Sequence, residues 1–368
     1  MKVVCDRSIL SDAFQMALGV VNARSPKPAL QCVKIESTKK EVRLLATDLE
    51  VGLRVSLTEG MDVSQGGEAL LPGDRVGAIL KELTSEKVTL AVEETSAVLE
   101  TEDSRFAIMG DNPASFPSVP DFGKDGATEL EAEALRGMIR RTIFATAREA
   151  ARYALNGVLW EIDGKEVRLV ATDGHRLALA KGECKGGKSA GKVSAIVPTK
   201  AMQLIERSIQ DAETVEVQIG EKELLVKAGR VVIYSRLVDG HFPKYEDVIP
   251  KDSDKKAKLD TAAMLSAVRK ASLLTNEESR GVKLTFRAKQ LVLSSRAPEM
   301  GEAKVTMAAE FEGTDDEFDV AFNPYFLIDV LKVVAGETVT LQLKSANKPG
   351  LIREGNHYVH VIMPVNIL

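Results

Sequence analysis

Gly182 to Ser189 reads GECKGGKS, the letter pattern of a phosphate-binding loop. That chemistry needs a strand, the loop, and then a helix whose first N–H groups cradle phosphate. The residues that follow are AGKVSAIVP, β-branched and glycine-bearing, ending at Pro198. They predict a loop followed by a strand, so a lysine- and glycine-rich hairpin loop is the better reading. Asp173-Gly174-His175-Arg176 offers acid–base groups, but Asp-Gly is a turn pair and no GxSxG-like nucleophile accompanies it. A hairpin turn carrying a surface histidine is expected. His241, His357 and His360 lack metal-type spacing with a fourth ligand. His357 and His360 stand three apart in a predicted strand and so point to opposite faces. Cys5, Cys32 and Cys184 form no CxxC pair, which argues for reduced thiols without a disulfide frame or zinc. No catalytic residue, metal site or cofactor is expected.

Basic residues are more suggestive. Arg136, Arg140 and Arg141 cluster in one helix-like segment, with Arg136 and Arg140 one turn apart, and Arg148 and Arg152 share that spacing. Arg269 and Lys270 occupy the corresponding segment further on. A solvated helix face explains such charges most simply, yet their repetition in a chain of net charge −5 points to a local basic face. Apolar residues at 44% and charged residues at 28% are globular values that exclude disorder. Charges interrupt the N-terminus before a signal-peptide core, and no apolar run approaches the ~20 residues of a membrane span. A soluble, cytoplasmic protein is expected.

The elements that carry these residues recur. EVRLLATD at Glu41 to Asp48 returns as EVRLVATD at Glu166 to Asp173. Pro72, Pro198 and Pro324 each open a helix-like segment at one period (198 − 72 = 324 − 198 = 126). Phe116-Pro117 and Phe242-Pro243 share that offset. In each copy a first helix follows the i, i+3, i+4 rule: Ile9, Leu10, Ala13, Phe14, Ala17, Leu18 and Val21; Leu135, Met138, Ile139 and Ile143; Met264, Leu265, Val268 and Ala271. Alternating strands such as Val42 to Ala46 and Val167 to Ala171 follow. The recurring proline then suits the first turn of a second helix, where its missing N–H has no partner anyway. Asp121 to Thr128 and Lys251 to Lys258 read as linkers. The chain is therefore three tandem α+β domains, spanning 1–121, 127–248 and 255–368.

Several segments carry a family resemblance. RYALNGVLWE from Arg152, ATDGHRLA from Ala171 and LVDGHFPKYEDVIP from Leu237 resemble the central domain of the bacterial DNA polymerase III beta subunit family. ATDLEV from Ala46 and SRFAI from Ser104 resemble its first domain, and NEESRGVKL from Asn276 and VIMPVNIL from Val361 its third. The resemblance spans the whole chain. It implies three DNA-clamp domains, each packing two helices against antiparallel sheets. It implies too a head-to-tail homodimer closing a six-domain ring around double-stranded DNA. Such a clamp tethers the replicative polymerase and other partners, binds a clamp loader, contacts phosphates without reading bases, and catalyses nothing.

Carried over by position, the resemblance assigns DNA contact to Arg24, Arg75, Arg152, Tyr153 and Lys200. It assigns the dimer interface to Phe106 and Ile108 facing Leu273 and Leu274, with Arg75 and Arg105 near Glu299 and Glu302. It assigns a partner-peptide pocket to Leu155, Thr172, Gly174, His175, Arg176, Leu177, Pro243, Val248, Phe326, Val361, Met363 and Pro364. This chain departs from the family pattern at Ala154, where a second aromatic often follows Tyr153, and at Asp247, where a basic residue is common. It departs also at Phe326, where tyrosine is common, and in its longer MPVNIL ending. Two rival readings are an enzyme acting on nucleotides through GECKGGKS and a three-domain protein scaffold that does not bind DNA.

Overall fold

The structure, a computed structural model, describes residues 1–123, 126–148, 154–185, 192–275, 281–313 and 316–366. Among the described residues six α-helices stand on antiparallel sheets: α1 Arg7–Leu18, α2 Gly73–Glu82, α3 Ala132–Thr142, α4 Thr199–Ser208, α5 Thr261–Ser272 and α6 Pro324–Leu331. None of them is long and apolar enough to cross a membrane. Pro324 is the first residue of α6, as expected, but Pro72 and Pro198 close the preceding strand one position before their helices. A strand that runs straight into a helix uses the fixed φ of proline equally well on either side of that junction.

The chain divides into two compact units. The first comprises Met1–Arg136, Cys184–Gly191 and Lys200–Leu237, and the second comprises Gly137–Glu183, Lys192–Thr199 and Val238–Leu368. In the first unit α1 buries Leu10, Ala13, Phe14 and Ala17, and it packs on α2. Gly77 permits this approach, because a Cβ there would stand 2.6 Å from Leu18 Cδ1. A continuous antiparallel sheet runs from Gly67–Pro72 through Cys32–Ser37 and Val42–Thr47 to Val51–Leu57. It continues through Val231–Arg236, Glu223–Ala228 and Thr214–Ile219 to Thr128–Glu131. A second sheet orders Met61–Gln65, Lys2–Asp6, Lys87–Glu93, Ser96–Glu100 and Arg105–Met109.

The second unit repeats this plan. Its long sheet runs from Val193–Pro198 through Gly157–Asp163, Glu166–Thr172 and Arg176–Lys185 to Tyr358–Ile362. Gly350–Glu354, Thr338–Leu343, Lys255–Asp260 and Glu310–Glu312 complete it. A four-stranded sheet orders Gly301–Ala308, Gln290–Ala297, Val282–Arg287 and Phe318–Phe322, and α5 packs over it and against α6.

Two strand pairings join successive copies of the repeat. Val51–Leu57 of the first copy pairs with Val231–Arg236 of the second, and Arg176–Lys185 of the second pairs with Tyr358–Ile362 of the third. The same strand of each copy meets the last strand of the next. By that rule Gly301–Ala308 in the third copy and Arg105–Met109 in the first are the counterparts without a neighbour. Each has one pairing among the described residues and forms a sheet edge.

One linker expectation needs correction. Lys255 to Lys258 belong to the strand Lys255–Asp260, in which Lys255, Ala257 and Leu259 alternate inward. A lysine at an inward position hid the alternation. The Lys255 ammonium is buried, yet it donates to Asp254 and to the Lys344 carbonyl, each at 3.2 Å, and lies 5.3 Å from the Phe318 ring centre. Gly182 to Lys185 of the phosphate-loop look-alike continue the strand Arg176–Lys185, and the next described element is the strand Val193–Pro198. The rest of that segment, 186–191, lies outside the described residues.

Candidate functional site

A cavity of about 260 Å³ lies in the second unit beside the turn Asp173-Gly174-His175-Arg176. Gly174 has φ +88°, a left-handed conformation that the missing Cβ makes inexpensive. Thr172 Oγ1 donates to the Arg176 carbonyl at 2.7 Å and accepts from the Gly174 N–H at 3.1 Å. Asp173 Oδ1 accepts from the His175 and Arg176 N–H groups at 2.9 and 3.0 Å. The turn is therefore held by side chains at both ends. Its neighbour is the C-terminal segment, where Leu177 pairs with Val361 and the Met363 N–H donates to the His175 carbonyl at 2.8 Å.

The cavity floor is apolar. Leu177 and Val361 are buried within a cluster that includes Leu159, Val170, Leu179, Tyr245 and Val359. The rim is open: Val248 is 53% exposed and Met363 40% exposed, in contrast with the floor. Leu155, Thr172, Gly174, His175, Arg176, Leu177, Pro243, Val248, Val361 and Met363 all line it. Phe326 lies behind that lining, with the Arg176 guanidinium 4.4 Å from its ring centre. Pro364 does not line the cavity.

Lys244 and Tyr245 line it too, and the sequence reading missed both. Tyr245 opens a short 3-10 turn, Tyr245–Val248, that forms one wall. Its hydroxyl donates to Glu161 Oε2 at 2.6 Å, and burial pushes the phenol pKa well above its usual range. Burial alone would raise the Glu161 carboxyl, but hydrogen bonds from Tyr245 and Lys192 hold it below the ordinary value. The wall is thus fastened to the sheet by a charge-assisted bond.

Arg176 is buried and acts as a strut. Nε meets Asp173 Oδ2 at 3.1 Å, Nη1 meets Asp329 Oδ2 at 2.7 Å, and Nη2 donates to the Phe144 carbonyl at 2.5 Å. On the same face of the sheet as Arg176, His360 is fully buried and neither ring nitrogen has a hydrogen-bond partner. Burial, reinforced by the Arg176 charge, drives its pKa down to about 3. The imidazole is neutral at physiological pH and serves as packing against Phe144 and Tyr358. Burial also pushes Cys5 up to about 12 and Cys32 to about 11, so neither thiol is a ready nucleophile.

Other expected residues lie on surfaces. Arg24, Arg75, Arg105, Glu299 and Glu302 are exposed, and Lys200 is half-exposed in the first turn of α4. The Lys200 ammonium forms an ion pair with Asp48. Arg152 and Tyr153 lie outside the described residues. Arg136 is paired with Glu133 at 2.8 Å and Arg141 with Glu354 at 3.1 Å, so these two do not form a free basic stripe. Leu273, just past the end of α5, is 72% exposed, and Phe106 on the open strand Arg105–Met109 is 37% exposed. Ile108 differs from expectation: it is buried at 6% within the single chain.

Comparison with known proteins gives three family matches in chain order. The N-terminal domain of the DNA polymerase III beta subunit matches residues 1–120, the central domain residues 129–244, and the C-terminal domain residues 246–366. A beta sliding clamp of Pseudomonas putida is 33% identical over 373 residues, covering 100% of both chains. One from Chlamydia muridarum is 31% identical over 368 residues, covering 100% of this chain and 99% of that protein. The crystal structure of the Bacillus subtilis DNA polymerase sliding clamp superimposes with a TM-score of 0.94 at 28% identity, covering 100% of both chains. A Pseudomonas aeruginosa sliding clamp bound to griselimycin superimposes at 0.93 with 31% identity, again covering 100% of both.

Proposed function

The chain belongs to the DNA polymerase III beta subunit family, the beta sliding clamps, and we propose that two copies join head to tail into a ring around double-stranded DNA. It is a non-catalytic processivity subunit built of three tandem clamp domains, for which we keep the spans 1–121, 127–248 and 255–368. The observation that carries the ring is the repeated joint between copies. Two joints are made within the chain, and the same two strands are left open, Gly301–Ala308 in the third copy and Arg105–Met109 in the first. Open edges with complementary roles are templates for a further strand pairing. A head-to-tail contact of this kind propagates or closes according to its rotation. Two chains of three domains would close with two identical contacts. In that contact Phe106 meets Leu273 and Leu274, and Arg75 and Arg105 meet Glu299 and Glu302.

Within the ring Arg24, Arg75, Arg152, Tyr153 and Lys200 contact DNA through phosphates, which carry no sequence information and so permit sliding. The cavity beside Arg176 receives a short extended peptide from the replicative polymerase, the clamp loader or other cytoplasmic partners. An apolar floor with a flexible methionine at its rim suits leucine or phenylalanine anchors. Sequential occupation of one groove then orders partner traffic, and tethering keeps a polymerase at high effective concentration. The griselimycin-bound relative supports the view that clamps of this family carry a ligand site. Sedimentation equilibrium and low-resolution imaging test the ring. A closed particle of twice the chain mass is expected, and monomers or an open-ended ladder of oligomers would overturn it.

A further inference from the structure

The turn that builds the peptide pocket occurs twice. In the first copy Thr47 Oγ1 donates to the Val51 carbonyl at 2.9 Å and accepts from the Leu49 N–H at 3.0 Å. Asp48 Oδ1 accepts from the Glu50 and Val51 N–H groups at 3.0 and 2.7 Å. These are the bonds made by Thr172 and Asp173 in the second copy. The φ values agree as well: Leu49 stands at +80° where Gly174 stands at +88°. A leucine held in the left-handed region is strained, and such strain persists only where the surroundings fix the turn.

In both copies one aspartate oxygen holds the turn and the other grips a cation. Asp173 Oδ2 takes Arg176 from its own turn. Position 51 is valine, so Asp48 Oδ2 takes Lys200 instead, from the first turn of α4. A lysine there gains nothing from the helix, whose N-terminal end is itself positive. Asp48 is nearly buried, with a side chain 10% exposed, while the Lys200 side chain is 47% exposed. The carboxylate is therefore fixed and the ammonium is free to swing away. We propose that Asp48 is a built-in competitor of DNA phosphate for Lys200, setting the DNA affinity of this face. The proposal rests on the reading that Lys200 contacts DNA.

The consequence is a contact that is weak by construction. Each phosphate that Lys200 takes must displace an internal carboxylate, and each phosphate it leaves is replaced by one. The lysine exchanges one anion for another as the duplex moves past it, without passing through an unpaired state. An ion pair whose lysine is half-exposed lowers the affinity of that lysine for a second anion by roughly two- to fivefold.

The test is a mutant cycle read by anisotropy of a labelled mixed-sequence duplex across a potassium chloride series. Asp48→Asn keeps an oxygen for the Glu50 and Val51 N–H groups and removes the charge. Asp48→Ser does the same should the amide disturb the fold, which thermal melting would reveal. Either variant is expected to bind roughly two- to fivefold more tightly, with a salt slope steeper by up to ~0.9 for each lysine released. Lys200→Ala should bind more weakly, and adding Asp48→Asn to it should change nothing further. If Lys200→Ala weakens binding but neither Asp48 variant tightens it, the competition is wrong and the DNA contact stands. If Lys200→Ala binds as the parent does, the contact itself fails, and the proposal with it. A gain that persists in the Lys200→Ala background would mean that net charge alone is responsible, and would also overturn it.

Discussion

Leu273 offers a direct test of the proposed interface between chains. Its side chain is 72% exposed at the C-terminal end of α5, whose own core contacts come from Met264, Ala267, Val268 and Ala271. Full burial of a leucine side chain is worth about 1.5–3 kcal/mol, so covering the open fraction against a partner adds about 1–2 kcal/mol. In the proposed ring two equivalent contacts close the dimer, so Leu273→Ala should cost it about 2–4 kcal/mol, roughly 30- to 1,000-fold in its dissociation constant. Leu273→Glu adds the penalty of burying an unpaired charge and should yield monomers. Because the residue is open in the single chain, the midpoint of chemical unfolding measured under monomeric conditions should barely move. Sedimentation velocity over a dilution series supplies the dissociation constants. Val248→Ala, another exposed apolar truncation, serves as the control and should leave dimerisation unchanged. A Leu273→Glu variant that remains dimeric at the dilution where the parent does would refute the assignment of the interface.

The groove, the DNA face and the core each allow a separate check. Met363→Asp puts a charge on the apolar rim and should weaken a leucine- and phenylalanine-containing peptide by roughly 30-fold or more in calorimetry, leaving the dimer intact; unchanged affinity would remove Met363 from the site. This variant is cleaner than deleting the tail, since the Met363 and Val365 N–H groups bond to the His175 and Ala321 carbonyls and their loss would disturb the sheet. Replacing Arg24, Arg152 and Lys200 together by alanine should flatten the salt dependence of DNA binding by up to ~0.9 in slope per contact, equally for all sequences; a change confined to one sequence would contradict phosphate-only contact. His360 has its pKa depressed to about 3, so the unfolded chain takes up its proton first as pH falls. The stability from keeping it neutral is complete above the unfolded value of about 6.5 and is lost progressively as pH falls toward about 3, with about 2 kcal/mol gone between pH 7 and pH 5. Urea unfolding of His360→Leu should lack this share of the acid sensitivity, and parallel pH profiles for parent and variant would show that His360 is not the group responsible.

Much of this was legible because the repeat is written twice, in sequence and in hydrogen bonds. The ATD segments at Ala46 and Ala171 both begin turns in which threonine and aspartate hold the backbone, and Leu10, Phe14, Leu135, Ile139, Met264 and Val268 are buried as their spacing predicts, while Ile9, Leu18, Val21, Ile143 and Leu265 are half-buried. Only the family resemblance brought Leu155, Leu177, Val248 and Val361 together, since they line one cavity but come from distant segments that no local pattern connects. What escaped is what depends on tertiary pairing. Asp329 and Phe144 hold Arg176 from other elements, and Glu161 fastens Tyr245 across 84 residues, so no motif could announce them. Asp48 entered only as the last residue of the repeated EVRLLATD segment, because its partner Lys200 lies 152 residues away. Lys255 misled because a buried lysine is rare and needs the Lys344 carbonyl and Asp254 to be tolerated. Ile108 misled in the opposite sense: it shares a strand face with Phe106 two residues away, yet it is buried while Phe106 remains open.

The central claim is topological, and topology can be measured without reference to any single contact. Clamps assembled by a clamp loader and ATP on a nicked circular plasmid should remain with the DNA through gel filtration in salt that abolishes simple electrostatic binding. One restriction cut should then release them, because a ring slides off an end while phosphate contacts alone cannot hold it. Retention on the circle with loss on the linear form is the result expected. Equal retention on both forms, or no salt-resistant retention on the circle, would contradict the ring.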